Sequence, residues 1–232
     1  MSLDFSNFDN RNYETLGTRE GYAEWAATYE DSVYDEMDVR LLERITSVRW
    51  PEVERAIDLA CGTGRTGAWL REHGVERIDG IDLTPEMLEA AKRRGIYDTL
   101  KVGDITSTGL ADGTYDLAIA CLVDEHLADL GPLYREVARI VKPGGRFVIV
   151  GYHPHFIMTA RMPTHFHRAS GRPVAIETYV HLFSDHTTAA RAAGLTLEEM
   201  HEGVLDDPWL ARQPKWARFR NHPISFAQVW RR

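Results

Sequence analysis

Three aspartates and a glycine-rich turn occupy positions from which they could hold a ligand. Asp58 lies inside the apolar run Ala56-Ile57-Asp58-Leu59-Ala60, directly ahead of Cys61-Gly62-Thr63-Gly64-Arg65-Thr66-Gly67. Gly62 and Gly64 let backbone approach a ligand where a Cβ would intrude, and the helix expected to follow turns its free N–H groups back on that ligand. Asp82 ends a second strand-like run and Asp104 follows a third, in Gly103-Asp104-Ile105. His126, His153 and His155 follow two further runs, and histidine is the side chain whose ordinary pKa suits proton transfer near neutrality.

The elements that carry these residues alternate. Strands are expected at 56–60, 78–82, 100–103, 115–122 and 146–151, the fourth nearly continuous in apolar residues as buried parallel strands are. Between them come helices from Thr66 to His73 and from Pro85, with Thr84 as its cap, to Gly95, and another opened by Pro132. Strict alternation predicts a doubly wound, Rossmann-like α/β sheet with right-handed crossovers and helices on both faces, its ligand beyond the strands' C-terminal ends. The break at Lys142-Pro143-Gly144-Gly145 precedes the fifth strand. Leu195 to Val204 and Ile224 to Arg231 are expected to pair as an antiparallel edge, after a helix capped by Ser184. From about Arg19 to Thr46 the pattern is helical, with Tyr22, Trp25, Ala26, Tyr29 and Val33 on one face; such a helix either packs on the sheet or closes over the ligand as a lid. Residues 1–16 read as a loosely held arm, and 152–182 as an irregular, histidine-rich insert.

Gly62 to Gly67 fits the G-x-G-x-x-G spacing of dinucleotide sites, and Asp82 stands where a carboxylate accepts from ribose hydroxyls. That pairing suits NAD or S-adenosylmethionine alike. Asp58 separates them, because a carboxylate inside the first strand opposes a pyrophosphate and favours a cationic or zwitterionic ligand. Asp104 is placed either to accept from the exocyclic amine of adenine, with Ile105 and Met87 over the ring, or to cap its own turn.

With these features the chain resembles the class I S-adenosylmethionine-dependent methyltransferases of small-molecule type. The resemblance rests on Asp58 to Gly64, Ile81-Asp82-Leu83-Thr84-Pro85-Glu86-Met87-Leu88, Gly103-Asp104-Ile105 and Ala138 to Gly145, and covers about Tyr22 to Gly151. It implies a mostly parallel sheet of about seven strands with an antiparallel edge strand. For S-adenosylmethionine it implies Asp58, Ala60, Gly62 and Gly64 around the methionine part, Asp82 and Leu83 at the ribose, and Met87, Asp104 and Ile105 at adenine. It further implies the Leu122 backbone at the methionine amine and Tyr29 as a contact from the lid.

Methyl transfer is an in-line displacement at a sulfonium and mainly requires positioning and exclusion of water. A hydroxyl or ammonium acceptor gains from a general base, for which His153 and His155 are preferred over His126, because Asp124 and Glu125 beside His126 favour its charged form. His153/His155 and His165/His167 are two apart, yet no cysteine or compact carboxylate cluster accompanies them, so no metal site is expected and a pocket lined by histidine, Tyr152 and Tyr179 is preferred.

The 232 residues suit one domain, from residue 1 to 232, with residues 1–50 as arm and lid and 152–182 as insert. A net charge of -8 without a long basic run argues against a nucleic-acid surface and for a small-molecule partner. The basic stretch from Arg212 to Arg220 carries Trp216 and Phe219 and reads as a tether to the core. Two cysteines in apolar surroundings suit a cytoplasmic protein, and no apolar run approaches the roughly 20 residues of a membrane helix. A nicotinamide-dependent oxidoreductase on the same sheet, or a non-catalytic binder of the nucleoside, are the alternatives.

Overall fold

The run Ala56–Leu59 is buried at every residue and becomes the centre of a seven-stranded sheet. In the computed structural model, which describes residues 3–33 and 37–232, the sheet strands in chain order are β1 (Ala56–Leu59), β2 (Ile78–Asp82), β3 (Thr99–Val102), β4 (Tyr115–Cys121), β5 (Val141–Tyr152), β6 (Thr196–Val204) and β7 (Pro223–Arg231). Their spatial order is β6-β7-β5-β4-β1-β2-β3. The first five are parallel, and β7 runs antiparallel to both β5 and β6. The reversed strand lies between β5 and the solvent-facing edge strand β6, so 196–204 and 223–231 form the antiparallel edge expected of them.

Period-two alternation sorts the sheet's side chains into two layers. Ile57, Leu59, Ala118, Ala120, Phe147 and Ile149 face the helix Gly131–Ile140, whose Leu133, Tyr134, Val137 and Ile140 are wholly buried. Ala56, Leu117, Ile119, Val148 and Val150 face Leu41, Leu42, Trp69 and Leu70 on the other side. A slip of one residue in any of these strands would exchange the layers, so the register is strongly specified.

Several local expectations give way to tertiary contacts. The long helix from 19 to 46 is broken into Thr18–Trp25, a tight turn Ala26–Thr28, Tyr29–Ser32 and Val39–Leu42; residues 34–36 lie outside those described. Its aromatic face packs on a small sheet within the insert, where Trp25 stacks on Phe166 with ring centroids 5.5 Å apart and its indole N–H donates to Ser32 Oγ. That sheet joins His165–His167, Pro173–Ile176 and Glu14–Leu16, so neither the arm nor the insert is irregular. Leu3–Asp4 also pairs with Tyr179–Val180, and Phe5 is buried with Ile157 and Val180. The arm is held because its apolar residues have an apolar place to go.

The helix after the insert starts at Phe183, with Leu182 at the cap position, so Ser184 lies inside it; Asp185 instead accepts from the Leu182 N–H. Thr84 stands at its cap position but makes no side-chain cap bond. The break at 142–145 becomes the irregular start of β5, with Gly144 at φ +81. Trp216 and Phe219 pack against Phe156, as a tether would. Among the described residues no helix is long and apolar enough to cross a membrane.

Candidate active site

The chain passes from β1 to β2 and β3 on one side, then returns to β4 on the other, so a crevice opens beyond the C-terminal ends of β1 and β4. The turn out of β1 enters it through left-handed backbone at Ala60 (φ +57), Gly62 (φ +53) and Gly64 (φ +85). A Cβ on Gly62 would meet nothing nearer than Met87 Cε at 3.4 Å, so that side of the loop is open, whereas Gly67 lies hard against the Tyr97 ring. The helix Arg65–Glu72 follows, led by Gly64 with no side-chain cap, which leaves its first N–H groups facing the crevice.

Asp82 ties this loop to the next. Its Oδ2 accepts from Gly62 N and its Oδ1 from Thr84 N, each at 2.8 Å. Burial pushes its carboxyl above the ordinary range while these donors pull it back. The Thr84 side chain and the Leu83 backbone add to these donors. Asp58 accepts from Tyr97 Oη at 2.7 Å and from the Gly67 backbone, and burial raises it to about 7. A cationic group beside it would return it to the charged form.

The remaining cofactor candidates divide. Leu122 ends β4 in a left-handed turn (φ +55), its N–H donated to Val150 O, and Leu83 is exposed. Met87 and Ile105 are buried, Ile105 within the main core. Asp104 is exposed and its Oδ1 accepts from both Thr106 N and Oγ1, so it does cap its own turn. Tyr29 packs edge-on to Trp25 and beside Tyr22; burial lifts its hydroxyl to about 12, against the pull of Arg65, which is paired with Asp38.

The three histidines are separated. His126 is buried, and because its Nδ1 faces the Glu177 carbonyl at 2.8 Å, that nitrogen carries the proton and Nε2 accepts from Tyr22 Oη at 2.9 Å. Burial drives its pKa down to about 4, outweighing Asp124. The expectation that its acidic neighbours would keep it charged is thus corrected: desolvation of a fully enclosed ring exceeds their attraction. His153 and His155 turn toward the β6–β7 hairpin. His153 Nε2 meets Glu202 Oε1 at 2.8 Å, and His155 lies beside the His222 ring.

A cavity of about 900 Å³ opens beside the crevice, walled by Trp25, Tyr152, Phe156, Phe166 and Trp216, with His165 and His167 in its lining. None of His126, His153 and His155 lines it, but Glu125 does. Glu125 is 2% exposed and lies within electrostatic reach of Tyr22, Tyr29 and Tyr152. Sequence reasoning passed over it as a mere neighbour of His126. The sequence offers only a partial signal, two consecutive acids after the apolar run from Leu117 to Val123.

Asp58 within the first strand, Asp82 at the end of the second, the glycine loop between them and a sheet that reverses at that point all meet at one crevice. Residues 57–149 match the family model described as a methyltransferase domain. A malonyl-[acyl-carrier protein] O-methyltransferase from Serratia marcescens is 35% identical over 92 residues, 40% of this chain and 36% of that relative. A demethylmenaquinone methyltransferase from Corynebacterium kroppenstedtii is 32% identical over 155 residues, 60% of this chain and 65% of that relative. The chain thus spans about a third of the first relative and just under two thirds of the second. An S-adenosylmethionine-dependent methyltransferase structure from Mesorhizobium loti shares the fold at TM-score 0.69 and 23% identity, over 87% of this chain and 99% of that one.

Proposed function

We propose that this protein transfers a methyl group from S-adenosylmethionine to an oxygen or nitrogen of a small molecule. The observation that carries the reading is Asp82, a buried carboxylate that staples the loops after β1 and β2 at the crevice, beside an aromatic cavity. When bound, the cofactor supplies a methyl group made electrophilic by its sulfonium. Asp82 would hold the ribose, and Asp58, with the left-handed turn from Ala60 to Gly64, the charged methionine end. Leu83 would lie with Asp82 at the ribose, Met87, Asp104 and Ile105 at adenine, and the Leu122 backbone and Tyr29 would complete the enclosure. The aromatic walls exclude water from the acceptor.

Of the three histidines, His126 alone reaches the crevice, through Tyr22, and it acts by positioning that hydroxyl. His153 and His155 serve the β6–β7 side. The test is calorimetric titration with S-adenosylhomocysteine and, separately, with NAD, followed by incubation with labelled cofactor and a fractionated extract. Micromolar binding of S-adenosylhomocysteine and a labelled small product are expected. Binding of NAD alone would overturn the reading.

A further inference from the structure

The cavity's single most unusual group is Glu125. Its Oε1 accepts from Thr164 Oγ1 at 3.3 Å and stands 3.6 Å from His126 Nε2, while its Oε2, buried, has no hydrogen-bond partner among the described residues. Asp124, the preceding residue, is 3% exposed and repeats the pattern: Oδ2 lies 3.4 Å from His186 Nε2, and Oδ1 is also unpartnered. Asp124 fits there because residue 151 is glycine, where a Cβ would fall 2.2 Å from Oδ1. The room was made for a carboxylate, and apolar side chains would fill it at less cost.

Two adjacent buried carboxylates cannot satisfy each other while both are ionised. Burial, with the Asp124 charge, raises the Glu125 carboxyl to about 8, and a cation beside it returns it to the charged form. Ionised against such a cation, Glu125 stands next to aromatic walls formed by Trp25, Tyr152 and Phe166. His126, the nearest base, is neutral at physiological pH. A negative charge within an aromatic enclosure is the arrangement that attracts an ammonium group, by direct pairing and by the rings' faces. A carboxylate acceptor would be repelled, and an alcohol would leave the charge unmatched.

Resting on the methyltransferase reading, we propose that the cavity takes an amine carried on an apolar or aromatic body, and that Glu125 receives the proton its nitrogen gives up. The ammonium first pairs with ionised Glu125. Its proton passes to that carboxylate, leaving a nitrogen lone pair and a neutral Glu125. The nitrogen–carbon bond then forms as the methyl–sulfur bond breaks with its electrons left on sulfur, so that the positive charge moves from sulfur to the product nitrogen.

The probes are 2-phenylethylamine, 2-phenylethanol and 3-phenylpropanoate, titrated by calorimetry into protein loaded with S-adenosylhomocysteine. The amine is expected to bind at least tenfold more tightly than either analogue, and E125Q to weaken it by about 100-fold while S-adenosylhomocysteine affinity changes less than twofold. E125D, which keeps the charge, recovers part of the loss, and melting curves confirm that both variants fold. Equal or tighter binding of the alcohol or the acid, no binding of any probe, or an unchanged amine affinity in E125Q would each overturn the assignment. If S-adenosylhomocysteine itself fails to bind, the methyltransferase reading falls, while Glu125-dependent binding of the amine to the free protein still supports the amine site.

Discussion

Replacing Asp82 by Asn removes one acceptor and places an NH₂ where an oxygen stood. Either Gly62 N or Thr84 N, both now 2.8 Å from a carboxylate oxygen, then faces a donor. Losing one bond to a charged group and leaving one buried N–H unmatched costs about 2–4 kcal/mol. Part of that returns, because burial already disfavours the Asp82 charge. A net loss of about 1–3 kcal/mol remains, which in a chain of this length lowers Tm by roughly 3–9 °C. The same change takes one of two acceptors from a ribose diol, so S-adenosylhomocysteine should bind more weakly by about 1.5–3 kcal/mol, or roughly ten- to hundredfold. Differential scanning calorimetry and isothermal titration separate the two effects. An unchanged Kd with a lowered Tm would reduce Asp82 to a staple between loops, and an unchanged Tm would refute the staple.

Three further outcomes are expected. Asp58 is held at about 7 in the fold against an ordinary value near 3.8, so the folded state binds the extra proton between those limits and stability falls as pH rises from about 4 to 7; D58N should flatten that fall, on the order of 4 kcal/mol, in denaturant titrations across pH. S-adenosylmethionine binding near pH 6 should release a proton as Asp58 ionises beside the cationic end, visible as a buffer-dependent enthalpy. Gly67→Ala, which helix propensity alone would favour, should instead destabilise by about 1–3 kcal/mol, because its Cβ would fall 2.3 Å from Tyr97 Oη and displace the donor to Asp58; an unchanged melting temperature would count against this.

Much of the sheet and crevice was legible because the signals are local. β1 and β4 announce themselves by mostly apolar runs, β2 and β3 by their place between turn and helix signals, and Gly62, Gly64 and Asp82 by spacing, since those residues answer to backbone geometry within a few positions. The rest was hidden where distant contacts decide. Nothing near Tyr22 says that its helix stops at Trp25, because the partner of that face, Phe166, is far along the chain. The sign of the His126 shift was likewise out of reach: the acids beside it are visible in sequence, while the enclosure that outweighs them is not. Glu125 was overlooked because burial, which gives it meaning, comes from Trp25, Tyr152 and Thr164 together.

The small parallel pairing of Glu14–Leu16 with Pro173–Ile176 also governs when the cavity can exist. Glu14 sits opposite Val174, 160 residues later, and Trp25 meets Phe166 across a similar span. During synthesis the first of these segments emerges long before the second, and the entropy of closing so long a loop opposes their meeting until the intervening sheet has brought them near. The wall of the chamber is thus assembled last, on a scaffold already built. A half-made chain can carry Asp58, Gly62 and Asp82 in place and still have nowhere to hold the molecule it would modify.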